Sequence, residues 1–227
     1  MAYVSTGTHP SGQQPERGAS GQIADVPAVW PVESSQERYR GPVFGLRSDR
    51  VEMPDGPDGG TVVAARDYLV HPGAAAVLAL DDQDRVLLQR QYRHAVRHKL
   101  WELPAGMLDV QDEPPVATAR RELVEEAGLH ARIWHELPSI LPSPGVTDEV
   151  VHLFLARGLS RVPEEENGFV RRHEEADLVA AWVPLEEAVG LVLQGHVRNG
   201  ITVAGILAAR TAAQDGFADD LPDVSER

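Results

Sequence analysis

Glu113, Glu122, Glu125 and Glu126 all lie in the segment Gly106 to Leu129, GMLDVQDEPPVATARRELVEEAGL, whose spacing gathers carboxylates along a helix. Carboxylates so placed are hard oxygen donors, and Mg²⁺ commonly takes one or two of them together with water and substrate phosphate. At about 100° per residue, with Glu113 set at 0°, Glu125, Glu122 and Glu126 fall at roughly 120°, 180° and 220°. Val116, Leu123, Ala127, Val124 and Ala117 occupy roughly 280° to 40°, an apolar arc that buries against a sheet and turns the acids outward. Glu122 and Glu126 are like charges at i, i+4 and repel on an isolated helix. A divalent cation relieves that repulsion, whereas a solvated face, the commoner origin of a charge run, leaves it in place.

The ends of this helix are also legible. Asp112 suits an N-cap, Pro114 and Pro115 are tolerated only in a first turn, and Gly128 suits the C′ position. The helix is therefore expected over about 113 to 127, with Glu113 on the far side of the wheel from Glu122 and outside the cation set.

The spacing resembles the Nudix box: Gly, five residues, Glu, seven residues, then Arg-Glu-apolar-any-Glu-Glu-any-Gly-apolar. Glu113, Arg121, Glu122, Leu123, Glu125, Glu126, Gly128 and Leu129 match in register, while Gly106 lies one residue early, so the loop before Glu113 carries an extra residue. The resemblance implies that Glu113 pairs with Arg121 and braces that loop. The flanking Leu100-Trp101-Glu102-Leu103-Pro104-Ala105-Gly106, and Ser143-Pro144-Gly145 with Pro144 sixteen residues beyond Gly128, are similar to the ADP-ribose pyrophosphatase branch of actinobacterial type. This similarity runs from about Val32 to the C-terminal helix.

Several expectations follow from the resemblance. The activity is Mg²⁺-dependent hydrolysis of ADP-ribose to AMP and ribose 5-phosphate, with Mn²⁺ as a possible substitute. Glu122, Glu126 and the backbone carbonyl of Ala105 hold the metal, with Glu125 assisting. His173-Glu174-Glu175-Ala176-Asp177 matches the loop that carries the general base, with Glu175 aligned best and Glu174 as the fallback. The resemblance also implies a homodimer whose N-terminal strands reach across to the partner. Two other readings stand beside this one: a Nudix pyrophosphatase for another nucleoside diphosphate sugar or an oxidised nucleotide, and a non-catalytic sensor of ADP-ribose. The intact Glu122, Glu125 and Glu126 set weighs against the sensor.

A local reversal of charge precedes the box. Arg85, Arg90, Arg93, Arg97 and Lys99 fall between Arg85 and Trp101 without an acid, in a chain whose net charge is −14. Such a stretch steers an anionic substrate, and Arg93, with its planar fork of donors, is the preferred substrate contact. Glu102 interrupts an apolar run and requires a partner; either a substrate hydroxyl or amine, or an arginine such as Arg93, meets that need. His94 and His98 stand at i, i+4 but have no evident third ligand. Glu149 follows the Pro144 turn with its role open.

The elements that must position these residues are readable at coarse level. Val43 to Met53 and Thr61 to Val70 flank a turn-rich segment and suggest an antiparallel unit. Ala74 to Leu80 and Val86 to Arg93 flank Asp81 to Asp84 as a second hairpin. Val150 to Ala156 and Leu178 to Val183 follow as strands, then helices over Leu185 to Leu193 and Ile201 to Ala213. The expected fold is α/β, a Nudix-type α/β/α sandwich with a mixed sheet and an N-terminal antiparallel β unit. The expected organisation is a disordered tail over 1–27, a β unit serving dimerisation over 28–72, the hydrolase domain over 73–215 and a flexible tail over 216–227.

Composition narrows the class further. A chain of 227 residues that is 42% hydrophobic supports a genuine core. Its acidity excludes a general nucleic-acid binder, which needs a basic footprint. Zero cysteines exclude disulfides, a thiolate nucleophile and a cysteine zinc site. No apolar run is long enough for a membrane span and no signal-peptide pattern opens the chain, so a cytoplasmic enzyme is expected.

Overall fold

A computed structural model describes residues 23–56, 59–163, 178–214 and 221–226. The N-terminal unit is an antiparallel sheet of β1 (Val32–Arg40), β2 (Gly45–Asp55) and β3 (Gly60–Val70) in the order β1-β2-β3. The β2/β3 pair is the hairpin expected from the sequence. β1 is additional: it is exposed along its whole length, so no buried face marks its sequence.

Two further sheets follow. β5 (Arg85–Arg93) lies between β6 (His98–Glu102) and β10 (Val179–Pro184), antiparallel to both. The other sheet runs β7-β4-β9-β8, from β4 (Ala74–Ala79), β7 (Ala105–Met107), β8 (Leu129–Ile140) and β9 (Val151–Arg161). It is mixed, because β4 and β9 run parallel.

β4 explains the layering. Its residues are all buried, and alternate side chains point to opposite faces. Ala74, Ala76 and Leu78 join a cluster with Leu185 and Ala188 of α2 (Leu185–Leu193) and Ile206 and Ala209 of α3 (Gly200–Gln214). Ala75, Val77 and Ala79 join Val116, Ala119 and Leu123 of α1 (Pro115–Ala127). Helices thus cover both sides of the sheets, giving the α/β/α sandwich.

Three details correct the sequence expectations. The hairpin around Asp81 to Asp84 survives only at its base, as a Leu80–Val86 bridge, because a fully buried β4 is sandwiched between β7 and β9 while β5 leaves for the other sheet. The turn itself is held by Asp81 Oδ1, which accepts from the Gln83 and Arg85 amides, each at 2.9 Å. Second, α1 starts at Pro115 with Pro114 as N-cap, not at Glu113 with Asp112 as cap. A residue before proline is driven out of the helical region, and with two prolines in succession neither Glu113 nor Pro114 is able to join the helix.

The third concerns the C-terminal end. Residues 221–226, in the segment expected to be a flexible tail, lie along β8, with Glu136 N–H donating to Pro222 O and Val224 N–H to Trp134 O, each at 2.9 Å. β8 is an edge strand with unpaired backbone groups to satisfy, and Leu221 and Val224 in so short a segment are too little pattern to announce the docking. Among the described residues, no helix is long and apolar enough to cross a membrane.

Candidate active site

α1 and β7 form the floor of the site. The chain reaches β7 from β6 through Leu103 and Pro104, which are pinned on two sides: Leu103 N–H donates to Thr202 Oγ1 at 3.1 Å, and Pro104 O accepts from Val77 N–H at 2.8 Å. Thr202 is itself fully buried and held by Asn199 at the start of α3. The backbone at Ala105 and Gly106 is therefore fixed before any ligand arrives.

Glu122 and Glu126 converge on that backbone. Glu126 Oε2 accepts from Ala105 N–H at 3.1 Å. The Glu122 carboxylate rests against Gly106, where an added Cβ would fall 1.9 Å from Oε1. Gly106 had been noted only as a box residue one position early. Its lack of a side chain is what seats Glu122, and a glycine preceding a carboxylate helix is the signal that points to it.

The acids do not all face outward as the wheel suggested. Glu126 is 5% exposed, while Val124 and Ala117 on the expected apolar arc are only half-buried. The buried arc runs through Val116, Ala119, Leu123 and Glu126, rotated toward the acids because the Ala105 amide supplies Glu126 with a buried partner.

Arg121 ties the cluster together. Its guanidinium lies 2.7 Å from Glu122 Oε1, 3.3 Å from Glu125 Oε2 and 3.4 Å from Glu113 Oε2. Burial works against its charge, but the Glu113 hydrogen bond and the charges of Glu122, Glu113 and Glu125 outweigh it and raise its pKa. Glu113 also accepts from Thr118 Oγ1 at 2.6 Å. That bond, opposed by burial and reinforced by Arg121, holds the Glu113 carboxyl below its usual pKa. The Glu113–Arg121 brace is present, and Thr118 is a member of it that the sequence reading missed.

Arg93 and Glu102 are brought together. Arg93 Nε lies 3.0 and 3.1 Å from the two carboxylate oxygens and Nη2 lies 2.6 Å from Oε2, so of the two partners open to Glu102 the arginine is the one it meets. Glu149 lies 3.6 Å from His71 Nδ1. His98 turns its Nδ1 to Val96 O at 2.6 Å while His94 packs edge-on to Tyr92, so the two histidines form no ligand pair. Pro144 shapes a turn closed by Val146 N–H to Ser143 O at 2.9 Å. Glu174 and Glu175 lie outside the described residues.

Among the described residues, no three His, Asp or Glu side chains are grouped as metal ligands. The available set is smaller and made of oxygen: the Glu122 and Glu126 carboxylates, set against the Gly106 α-carbon and the Ala105 amide. That chemistry, with the cradle that a Cβ on Gly106 would fill, fits a hard divalent cation completed by water and phosphate.

A mixed-sheet sandwich that directs a carboxylate helix at a glycine-seated strand defines a metal-dependent hydrolase of phosphoanhydrides. The chain belongs to the Nudix family: residues 70–203 match the model of the NUDIX domain. It is 44% identical over 189 residues to the ADP-ribose pyrophosphatase of Mycobacterium tuberculosis, covering 83% of this chain and 86% of that protein. It is 33% identical over 172 residues to the methanol dehydrogenase activator of Bacillus methanolicus, covering 76% of this chain and 88% of that protein. A crystal structure of an ADP compounds hydrolase superposes with a TM-score of 0.68 at 18% identity, over 85% of this chain and 98% of that one, and shows the same fold.

Proposed function

We propose that this Nudix hydrolase cleaves the pyrophosphate bond of ADP-ribose to AMP and ribose 5-phosphate with Mg²⁺, Mn²⁺ being able to substitute. The observation that carries the reading is the convergence of Glu122 and Glu126 on Ala105 and Gly106. The relative from M. tuberculosis, whose name states this activity, supports the choice of substrate.

In this reading the Glu122 and Glu126 carboxylates and the Ala105 carbonyl would hold the metal, which would supply charge to offset the phosphates and lower the pKa of a water. Arg121 keeps Glu122 and Glu125 in place. Glu175, or Glu174 in its stead, takes the proton as the water oxygen bonds to phosphorus and the anhydride P–O bond breaks, releasing AMP and ribose 5-phosphate. Arg93 and Glu102 act as one unit at the substrate: the carboxylate fixes the guanidinium, whose half-exposed side chain presents a planar cation to a phosphate or ribose oxygen.

We further propose a cytoplasmic homodimer joined through the β unit of residues 28–72, with 73–215 as the hydrolase domain. The exposed β1 supports this, since a strand with no buried face gains one from a partner. Product analysis with ADP-ribose, with and without Mg²⁺ and against related nucleoside diphosphate sugars, tests the activity. AMP and ribose 5-phosphate formed only with metal, at the highest kcat/KM of the panel, are expected; a better sugar nucleotide would displace ADP-ribose.

A further inference from the structure

The segment 221–226 makes more of its contacts with the back of α1 than a loose chain end would. Val224 is 2% exposed and packs in the cluster of Val116, Ala119 and Leu123 of α1 with Trp134 of β8. Arg120, beside the hub Arg121, donates through Nη2 to Val224 O at 3.0 Å and Ser225 O at 2.6 Å. Its guanidinium also lies 5.6 Å above the Trp134 ring. Trp134 is gripped in turn: its amide donates to Ser225 Oγ at 3.0 Å and its carbonyl accepts from Val224 N–H at 2.9 Å. Asp223 bridges His135 across the strand edge, and its carboxylate accepts from Ser225 N–H at 2.8 Å.

We propose that residues 221–226 form a positioning strap for the carboxylate helix, with Arg120 as its clasp. The inference rests on the reading that Glu122 and Glu126 hold a divalent metal. Glu126 ties one side of α1 to the Ala105 amide of β7, and Arg120 ties another to the strap. Rotation of the helix about its axis is thereby restrained from two directions. The restraint matters because a carboxylate about 6 Å from the axis moves on the order of 1 Å for a rotation of roughly 10°. Glu122 has no such slack against Gly106. A misplacement of about 1 Å is able to cost on the order of a hundredfold in rate. Arg120 and Val224 act through α1, so they are positioning residues.

The test compares the full chain with a chain ending at Leu221 and with Arg120→Lys, which keeps the charge but not the planar guanidinium that lies over Trp134 while donating to the strap. Amide hydrogen exchange across residues 116–127 is read without metal, Mn²⁺ affinity by titration, and kcat and KM on ADP-ribose. For the shortened chain, exchange in α1 is expected to rise at least about tenfold, Mn²⁺ affinity to fall about tenfold, and kcat to fall about tenfold to a hundredfold with KM nearly unchanged. A synthetic peptide of residues 221–227 added in trans is expected to reverse these changes, and Arg120→Lys to reproduce them in smaller measure. Unchanged α1 exchange and unchanged Mn²⁺ affinity in both variants would overturn the strap. If the shortened chain does not fold, Arg120→Lys decides by the same two readouts. Failure of the intact chain to bind Mn²⁺ counts against the metal reading instead, and the exchange measurement still decides the strap.

Discussion

The Glu122 carboxylate rests on the α-carbon of Gly106: a Cβ there would lie 1.9 Å from Oε1 and 2.2 Å from Cδ. The backbone side does not yield, because β7 is paired to β4, so the Glu122 carboxylate is the group that moves, away from its seat and its Arg121 contact. Gly106→Ala is expected to displace Glu122 and reduce kcat by about a hundredfold, while thermal stability changes little. Steady-state kinetics beside a melting curve checks this; near-normal turnover would show that Glu122 need not sit there.

Arg93 and Glu102 are unequally buried, with 50% of the arginine side chain exposed against 5% of the glutamate. Removing the arginine strands a buried carboxylate. Arg93→Ala is expected to cost about 1–3 kcal/mol of stability, and adding Glu102→Gln to recover about half of it, since a neutral amide is cheaper to leave without a charged partner. Denaturant unfolding of the two single variants and the double variant measures the coupling.

Glu113 gives a pH dependence of defined sign. Its carboxyl is depressed in the folded state by Thr118 and Arg121, against burial. The stabilisation it contributes is therefore complete above the ordinary glutamate pKa and lost as pH falls through the lower, folded value. Glu113→Gln should be less stable than the parent at about pH 7, with the gap closing toward about pH 2. A gap that widens on acidification would mean that the carboxyl is raised.

Glu175→Gln is expected to slow turnover by about 10² to 10⁴ while Mn²⁺ affinity holds, as befits a general base. Calorimetric titration separates the roles. Lost metal binding would make Glu175 a ligand, and an effect confined to Glu174→Gln would move the base by one residue.

Much of this architecture was legible in the sequence where one pattern governed one element. The box spacing placed Glu122 and Glu126 on one helix and Gly128 at its end, and a turn-rich segment between two β-like runs marked the β2/β3 hairpin. The rest turned on contacts between distant segments. Glu126 reads as an exposed acid until the Ala105 amide, twenty-one residues earlier, is brought beside it. α1 starts later than the cap preference of Asp112 implies, because consecutive prolines restrict the residues before them more strongly than a cap favours them. β6 and β7 span only five and three residues, too few to show a pattern, whereas β8 spans twelve and opens on the alternation Leu129, Ala131, Ile133, a signal the sequence does carry; Val224 is a single buried residue and carries no periodicity.

Anomalous diffraction from crystals grown with Mn²⁺ and a non-hydrolysable ADP-ribose analogue tests the metal site most directly. A peak within about 2.5 Å of Glu122 and Glu126 carboxylate oxygens and of the Ala105 carbonyl, with the diphosphate completing its shell, is expected. A peak held by other residues, with Glu122 and Glu126 still on Arg121 and the Ala105 amide, would contradict it.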